Sequence, residues 1–384
     1  MNAINSQEWT IKNPASAASL TFPGFVVVML VLIALLAGCE QAPGSSPINS
    51  PASTATKPPA EANATAATPA TPAKGLFVLS SGQGSIAIRD AVTLQTRPIL
   101  NASGKEFHDS PSFSADGAQI VFVTHILDAS VPGNQIRAMN SDGTNVRTLF
   151  KAPVDNPRIF PAYPHYTPDG TSIYFSLVSN TTNSGDQQYQ IARGPAAGGS
   201  WTVVVDNGNQ PALSSDGKRL AFTRPNNKTL ASSLWIADAD GQHAQEIFAE
   251  DHFQAVIGTR FSPDGQWIAF AASGPPRKKL PGARLAPRPE NQPQCALGVW
   301  EFCLVQRAYA DGLPWDLWLV SVDGKSFKQL TTMGLDSPWP AFSADGRFLA
   351  FAALNGFYVY DRAIEQVSKL SDEGGHGVID WYQK

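Results

Sequence analysis

The sequence predicts an all-β protein, a six-bladed β-propeller of four-stranded antiparallel blades, behind an exported and lipid-modified N-terminus. Three observations carry this. An Asp-Gly turn recurs five times, apolar residues alternate at fixed offsets after each turn, and the two chain ends supply complementary fragments of one more unit. Composition agrees: 31 glycines and 30 prolines in 384 residues favour turns over long helices. A net charge of −4 gives no basic stripe, so nucleic acid is not an expected partner. With only 3 cysteines the chain is not a disulfide scaffold.

From the N-terminus, residues 1–38 read as a signal peptide. Phe25 to Ala37 is an uncharged apolar run, the length of a signal-peptide core and short for a membrane span. It ends in Leu36-Ala37-Gly38-Cys39, which resembles a bacterial lipobox. The resemblance implies that Cys39 takes a diacylglyceryl group and becomes the mature N-terminus, with further acylation giving stable anchoring. The n-region departs from the pattern, since only Lys12 opposes Glu8. The competing reading is an uncleaved anchor helix, and both put the rest of the chain outside the inner membrane. Glu40 after the cysteine resembles the outer-membrane sorting pattern of two-membrane cells, which would place the anchor on the periplasmic face of the outer membrane. Residues 39–74 then form an Ala/Pro/Thr/Ser-rich tether too poor in apolar surface to fold.

The repeats fill 75–384. PSFSADG, PHYTPDG, PALSSDG, TRFSPDG and PAFSADG place turn aspartates at Asp116, Asp169, Asp216, Asp264 and Asp345. Four residues on come Ile120, Ile173, Leu220, Ile268 and Leu349; six residues on come Phe122, Phe175, Phe222, Phe270 and Phe351. Alternating apolar positions predict a strand with one face in a core. Third strands follow at Gln135–Met139, Tyr189–Ala192, Leu234–Ala237, Leu317–Val320 and Phe357–Tyr360, with further Asp-Gly turns at Asp142, Asp240 and Asp323. Asp bonds locally to the backbone and Gly accepts positive φ, so these are turn residues rather than catalytic ones. Pro111, Pro164, Pro211 and Pro340 precede the turns in the first strands. Lacking an N–H, they suit an edge strand along the central channel.

These motifs resemble the TolB-like family of propeller repeats, whose pattern runs xPxFSPDGxxIAFxS. The resemblance covers about Gly75 to Lys384 and implies the propeller fold. TolB also carries an N-terminal α/β domain, where this chain has its tether, so the resemblance does not bring TolB's particular partners with it.

The ends set the blade count. Gly75–Leu100 offers second, third and fourth strands without a first, and Gly377–Trp381 reads as a first strand with nothing after it. Trp381 takes the place of Phe113. Joined, they make blade one of six and close the ring.

Function is expected on the mouth side of the channel, where second-to-third loops and blade connections lie and loops can vary. The largest feature there is an insertion in blade five, about 274–313. It carries Arg277, Lys278, Lys279, Arg284, Arg288, Trp300 and Trp315, and reads either as a partner-docking flap or as a variable loop. Its Cys295 and Cys303 are expected to form a disulfide in an oxidising compartment. The second feature is a set of histidines and carboxylates. His108 and His376 share one repeat offset in adjacent blades; Asp109, Asp336 and His252 lie near it. They could converge on a metal or an anion, as in propeller-shaped oligogalacturonate lyases, or be hydrogen-bonded loop residues. By this alignment His165 is structural, and His125 and His243 stand apart.

No G-x-S-x-G elbow, Walker loop or H-E-x-x-H motif occurs, and propeller-bearing serine peptidases keep their nucleophile in a separate α/β domain. No cofactor is expected and no confident metal set stands out. Two readings result. The first is a monomeric, non-catalytic scaffold on a lipid anchor, binding an envelope protein, peptide or glycan. The alternative is a metal-assisted polysaccharide lyase or hydrolase using the mouth cluster.

Overall fold

The structure, a computed structural model, describes residues 74–81, 83–127, 133–152, 159–180, 187–285, 314–375 and 377–383. The expected signal peptide, residues 39–73 of the expected tether, and His376, Arg288, Cys295, Trp300 and Cys303 lie outside these, Cys39 with the tether.

Strands β1 (Leu76–Ser80), β2 (Ile86–Asp90) and β3 (Thr96–Leu100) begin blade one. Blade two is β4 (Glu106–Phe113), β5 (Gln119–Ile126), β6 (Gln135–Asn140) and β7 (Arg147–Lys151). Blade three is β8 (Ile159–Tyr166), β9 (Ser172–Asn180), β10 (Gln187–Pro195) and β11 (Thr202–Asp206). Blade four is β12 (Asn209–Leu213), β13 (Arg219–Pro225), β14 (Ser232–Asp238) and β15 (Gln245–Phe248). Blade five is β16 (Ala255–Phe261), β17 (Trp267–Ser273), β18 (Trp315–Ser321) and β19 (Phe327–Gln329). Blade six is β20 (Pro340–Phe342), β21 (Phe348–Ala353), β22 (Gly356–Asp361) and β23 (Gln366–Ser371). Finally β24 (Ile379–Tyr382) returns to pair antiparallel with β1, completing six four-stranded sheets. The ring closes as the two chain ends imply.

Each first turn is built the same way. The aspartate Oδ1 accepts the hydroxyl of the Ser or Thr two residues before it at 2.5–2.6 Å, and the backbone N–H two residues after it at 3.0–3.1 Å. The next residue needs φ of 66° to 70°, which glycine adopts without steric cost. The turn aspartates are thus consumed locally.

The apolar core is divided into six clusters, each spanning one blade interface. Phe122 of blade two packs with Val78 and Ile88 of blade one; Phe175 of blade three packs with Val121 and Phe150 of blade two. Phe222, Phe270 and Phe351 anchor the next three interfaces, and Phe77, Ile379 and Trp381 pack against blade six. The phenylalanine six residues past each turn is buried in all five repeats.

The first-strand prolines do sit on sheet edges, Pro111, Pro164 and Pro211 at a bulge and Pro340 in regular register with Phe351. The ladder slips between Asp109 and Ser112, Ala162 and His165, Asn209 and Ala212, and Ile257 and Arg260. In blades two to five the residue at each slip has positive φ: Ser110, Tyr163, Gln210 and Gly258. Blade five does this without proline, so the bulge rather than the proline is the shared device.

The blade-five insertion departs from its expected place. Instead of staying on the mouth side, its first part descends the outer edge of the blade. Leu280 is buried in the core between blades four and five. A Cβ on Gly282 would lie 2.9 Å from the Lys325 carbonyl, in the Asp323-Gly324 turn on the opposite side. Arg284 then bridges to Lys328 in parallel, donating its N–H to Phe327 O and accepting from Gln329 N, both at 2.9 Å. Burying Leu280 draws the segment down, and pairing with short β19 covers that edge. Trp315, expected on the flap, is instead the first residue of β18 and only 3% exposed, because its ring packs into the core between blades five and six.

Deleting 377–384 is expected to destabilise the whole ring by on the order of 5 kcal/mol, because buried Val378, Ile379 and Trp381 lose their places. Thermal melts check this. A truncated chain melting with the intact one would show that β24 does not close the structure.

Candidate functional site

The mouth-side end of blade two is built by β4 and β5, whose register sets Phe107 opposite His125 and His108 opposite Thr124. His108 is 1% exposed, its Nδ1 lies 3.0 Å from Thr124 Oγ1, and its ring stands edge-on to Phe122. Burial pushes its pKa below the ordinary histidine value, with Glu106 opposing. It is a core histidine. Asp109 points elsewhere and pairs with His125, Nε2 to Oδ2 at 2.9 Å. Burial works against charge on His125, but the hydrogen bond and charge of Asp109 outweigh it and raise its pKa. Glu106 takes Arg137 in a two-pronged ion pair at 2.9 and 3.0 Å, and Arg137 Nε donates to Gln135 Oε1 at 2.9 Å. The polar groups of this blade end satisfy one another.

Of the other expected members, His252 and Asp336 are held by contacts of their own, and His376 lies outside the described residues. His252 sits in the connection after β15, its Nδ1 3.1 Å from Ala249 O and its ring beside Phe248. Asp336 is buried in the β19–β20 connection and engaged in polar contacts there. Among the described residues, no three His, Cys, Asp or Glu side chains gather as a metal site would require. His125, set apart by the repeat alignment, is the true partner of Asp109. The strand pairing could have revealed it, since the two lie on one face of adjacent strands, two residues out of register. His243 does stand apart, paired with Asp238 on the surface at 2.6 Å.

Two features escaped the sequence. Tyr163 of blade three and Trp339 of blade six, opposite blades, stack with centroids 5.0 Å apart and planes at 27°. Both stand six residues before their turn aspartates, so one aromatic pair spans the channel. The second is a cleft of about 650 Å³ between blades five and six on the turn side, lined by Trp267, Phe327, Arg284, Lys328, Arg347 and Arg362. Lys328 pairs with Glu365 at 2.6 Å and Arg347 with Asp361 at 2.8 Å. Of the insertion's cations, Arg277, Lys278, Lys279 and Arg284 are exposed, and Lys278 pairs with Asp251.

No family model matches the chain. The ring is similar to TolB from Acinetobacter baumannii, at 14% identity and TM-score 0.55 over 80% of this chain and 66% of that one. It is similar also to a putative TolB from Agrobacterium tumefaciens, at 14% identity and TM-score 0.50 over 81% of this chain and 99% of that one. The chain shares the TolB propeller fold. In sequence, 194 residues are 29% identical to the uncharacterized peptidase YuxL of Bacillus subtilis, half of this chain but only 29% of that protein. The matched region therefore spans less than a third of the peptidase. A fold shared with the TolB proteins carries no chemistry by itself.

Asp109→Asn should drop the His125 pKa below its present raised value, read by NMR titration of the imidazole. A raised folded pKa stabilises fully below the unfolded value of about 6.5 and loses that contribution as pH rises through the folded pKa. The wild-type melting temperature should therefore fall as pH climbs through that range, and the variant should lack this slope.

Proposed function

We propose that the protein is an extracytoplasmic, lipid-anchored binding scaffold whose propeller holds a partner at its surface rather than turning over a substrate. The observation that carries the reading is the contrast between the two polar regions. The blade-two end of the mouth is internally paired, and Tyr163 stacked on Trp339 spans the channel. Along blade five, by contrast, Arg277 and Lys279 stand exposed near the mouth-side connection at His252, and exposed Arg284 lines the 650 Å³ cleft. A run of exposed cations, ending in Arg284 held by its β-bridge at a cleft with an aromatic wall, suits an acidic protein, peptide or glycan of the cell envelope. The lipobox-like Leu36-Ala37-Gly38-Cys39 and the segment behind it support tethered display outside the cytoplasm.

Charge reversal at Arg277, Lys279 and Arg284 together should weaken recovery of envelope partners by at least about tenfold while the ring melts normally. Raised salt should mimic it, since exposed charges are screened. Undiminished recovery by the triple variant at low salt would move the docking surface elsewhere. For the anchor, Cys39→Ser should leave an unprocessed precursor without acyl label; normal processing would remove the lipobox assignment.

A further inference from the structure

Beneath the Tyr163–Trp339 stack lies a second layer, formed by the inner-strand residues four positions before each turn aspartate. From blade one to blade six they are Asp380, Ser112, His165, Ala212, Arg260 and Ala341, with Asp380 placed by the alignment of Trp381 with Phe113. Three are linked. Ser112 Oγ donates to Asp380 Oδ2 at 3.0 Å, and Phe113 N donates to the same oxygen at 2.8 Å. His165 Nδ1 lies 2.9 Å from Ser112 Oγ. The serine hydroxyl has one proton and gives it to the carboxylate, so the imidazole must donate from Nδ1. Its Nε2 is left as a bare lone pair, buried and without a partner among the described residues. Burial and then the Arg260 charge push the His165 pKa well below the ordinary value, so this is the neutral ring.

Arg260 supplies the complement. Its Nη1 donates to Thr259 O at 3.0 Å, while Nε and Nη2 are shut off from solvent and bond nothing among the described residues. The blades on either side present only alanine in this layer, Ala212 and Ala341. Asp380 is near enough to favour the guanidinium charge but forms no ion pair with it. A cation with two donor nitrogens shut off from solvent and idle is a strongly unfavourable arrangement unless an acceptor completes it.

A single occupant that completed both groups would accept from Arg260 and donate to His165, whose ring feels the Arg260 charge. We propose that this layer is a binding site for a small oxyanion that keeps a proton, of the dihydrogen-phosphate type. Its oxygens accept from Arg260 Nε and Nη2, and its O–H donates to His165 Nε2. A fully deprotonated oxyanion such as sulfate offers the first interaction but not the second. It would set a lone pair against a lone pair, with Asp380 adding repulsion against a dianion. A water could bridge the same groups but leaves the guanidinium charge uncompensated.

The test is calorimetry of the full-length protein in detergent after prolonged equilibration with inorganic phosphate or sulfate, supported by ³¹P NMR. The expected result is one phosphate per chain, with sulfate at least tenfold weaker. His165→Phe should narrow that preference, and Arg260→Met should weaken phosphate at least tenfold. Arg260→Lys, which keeps the charge but loses the fork, carries the same test should the methionine variant fail to fold. Absence of phosphate binding to folded wild-type protein, equal affinity for the two anions, or undiminished binding in the Arg260 variants would overturn the site.

Discussion

The pairing of β24 with β1 is the contact through which the other five blades acquire their stability. A propeller blade buries its faces against its neighbours, so an open ring would leave two blades each with a bare face. Here the first and last strands of the ring belong to one sheet, with Trp381 on Phe77 at 4.7 Å and Phe77 against Phe357 of blade six at 4.8 Å. Blade one cannot form without both ends of the ring, and the interface with blade six cannot form without blade one. Closure is therefore a long-range event, and most of the stabilisation is expected to arrive with it.

How much of this was readable depends on whether a residue's role repeats. The phenylalanine six positions past each turn has the same surroundings in five blades, and periodicity exposes it. The Ser/Thr-x-Asp-Gly turn is legible because its bonds reach only two residues either way. Contacts across the ring have no such signature. Nothing in a strand-length window tells Tyr163 that it will meet Trp339, and repeat offsets alone do not put Asp109 with His125. Trp315 misled for a related reason. It borders the long insertion in sequence, yet strand pairing with Ser273 fixes it in the blade. The course of the insertion turned on Leu280, whose burial against blade four no local pattern marks.

The bulges explain how one inner strand serves two environments. In a regular strand, side chains alternate strictly between faces, and every second residue would point the same way. Inserting residues such as Ser110-Pro111 or Tyr163-Pro164 without ladder partners re-aims the side chains beyond the slip. The axis thereby receives Tyr163 and the side chains of Ser112, His165 and Arg260, while Phe113, Tyr166 and Phe261 remain in the apolar interfaces between blades.

The place where the chain enters the ring has a mechanical meaning. The segment ahead of Lys74 leads directly into β1, the second strand of blade one rather than its rim, and Gln383 Nε2 clasps Lys74 O at 3.1 Å. Strand β1 is laddered on one side to β2 and on the other to β24. A pull arriving through the N-terminal segment would meet two hydrogen-bonded seams at once instead of peeling an outer strand away. A particle hung from a surface by this end and subjected to drag would be held at a strand fastened on both sides, with β24 as the clamp.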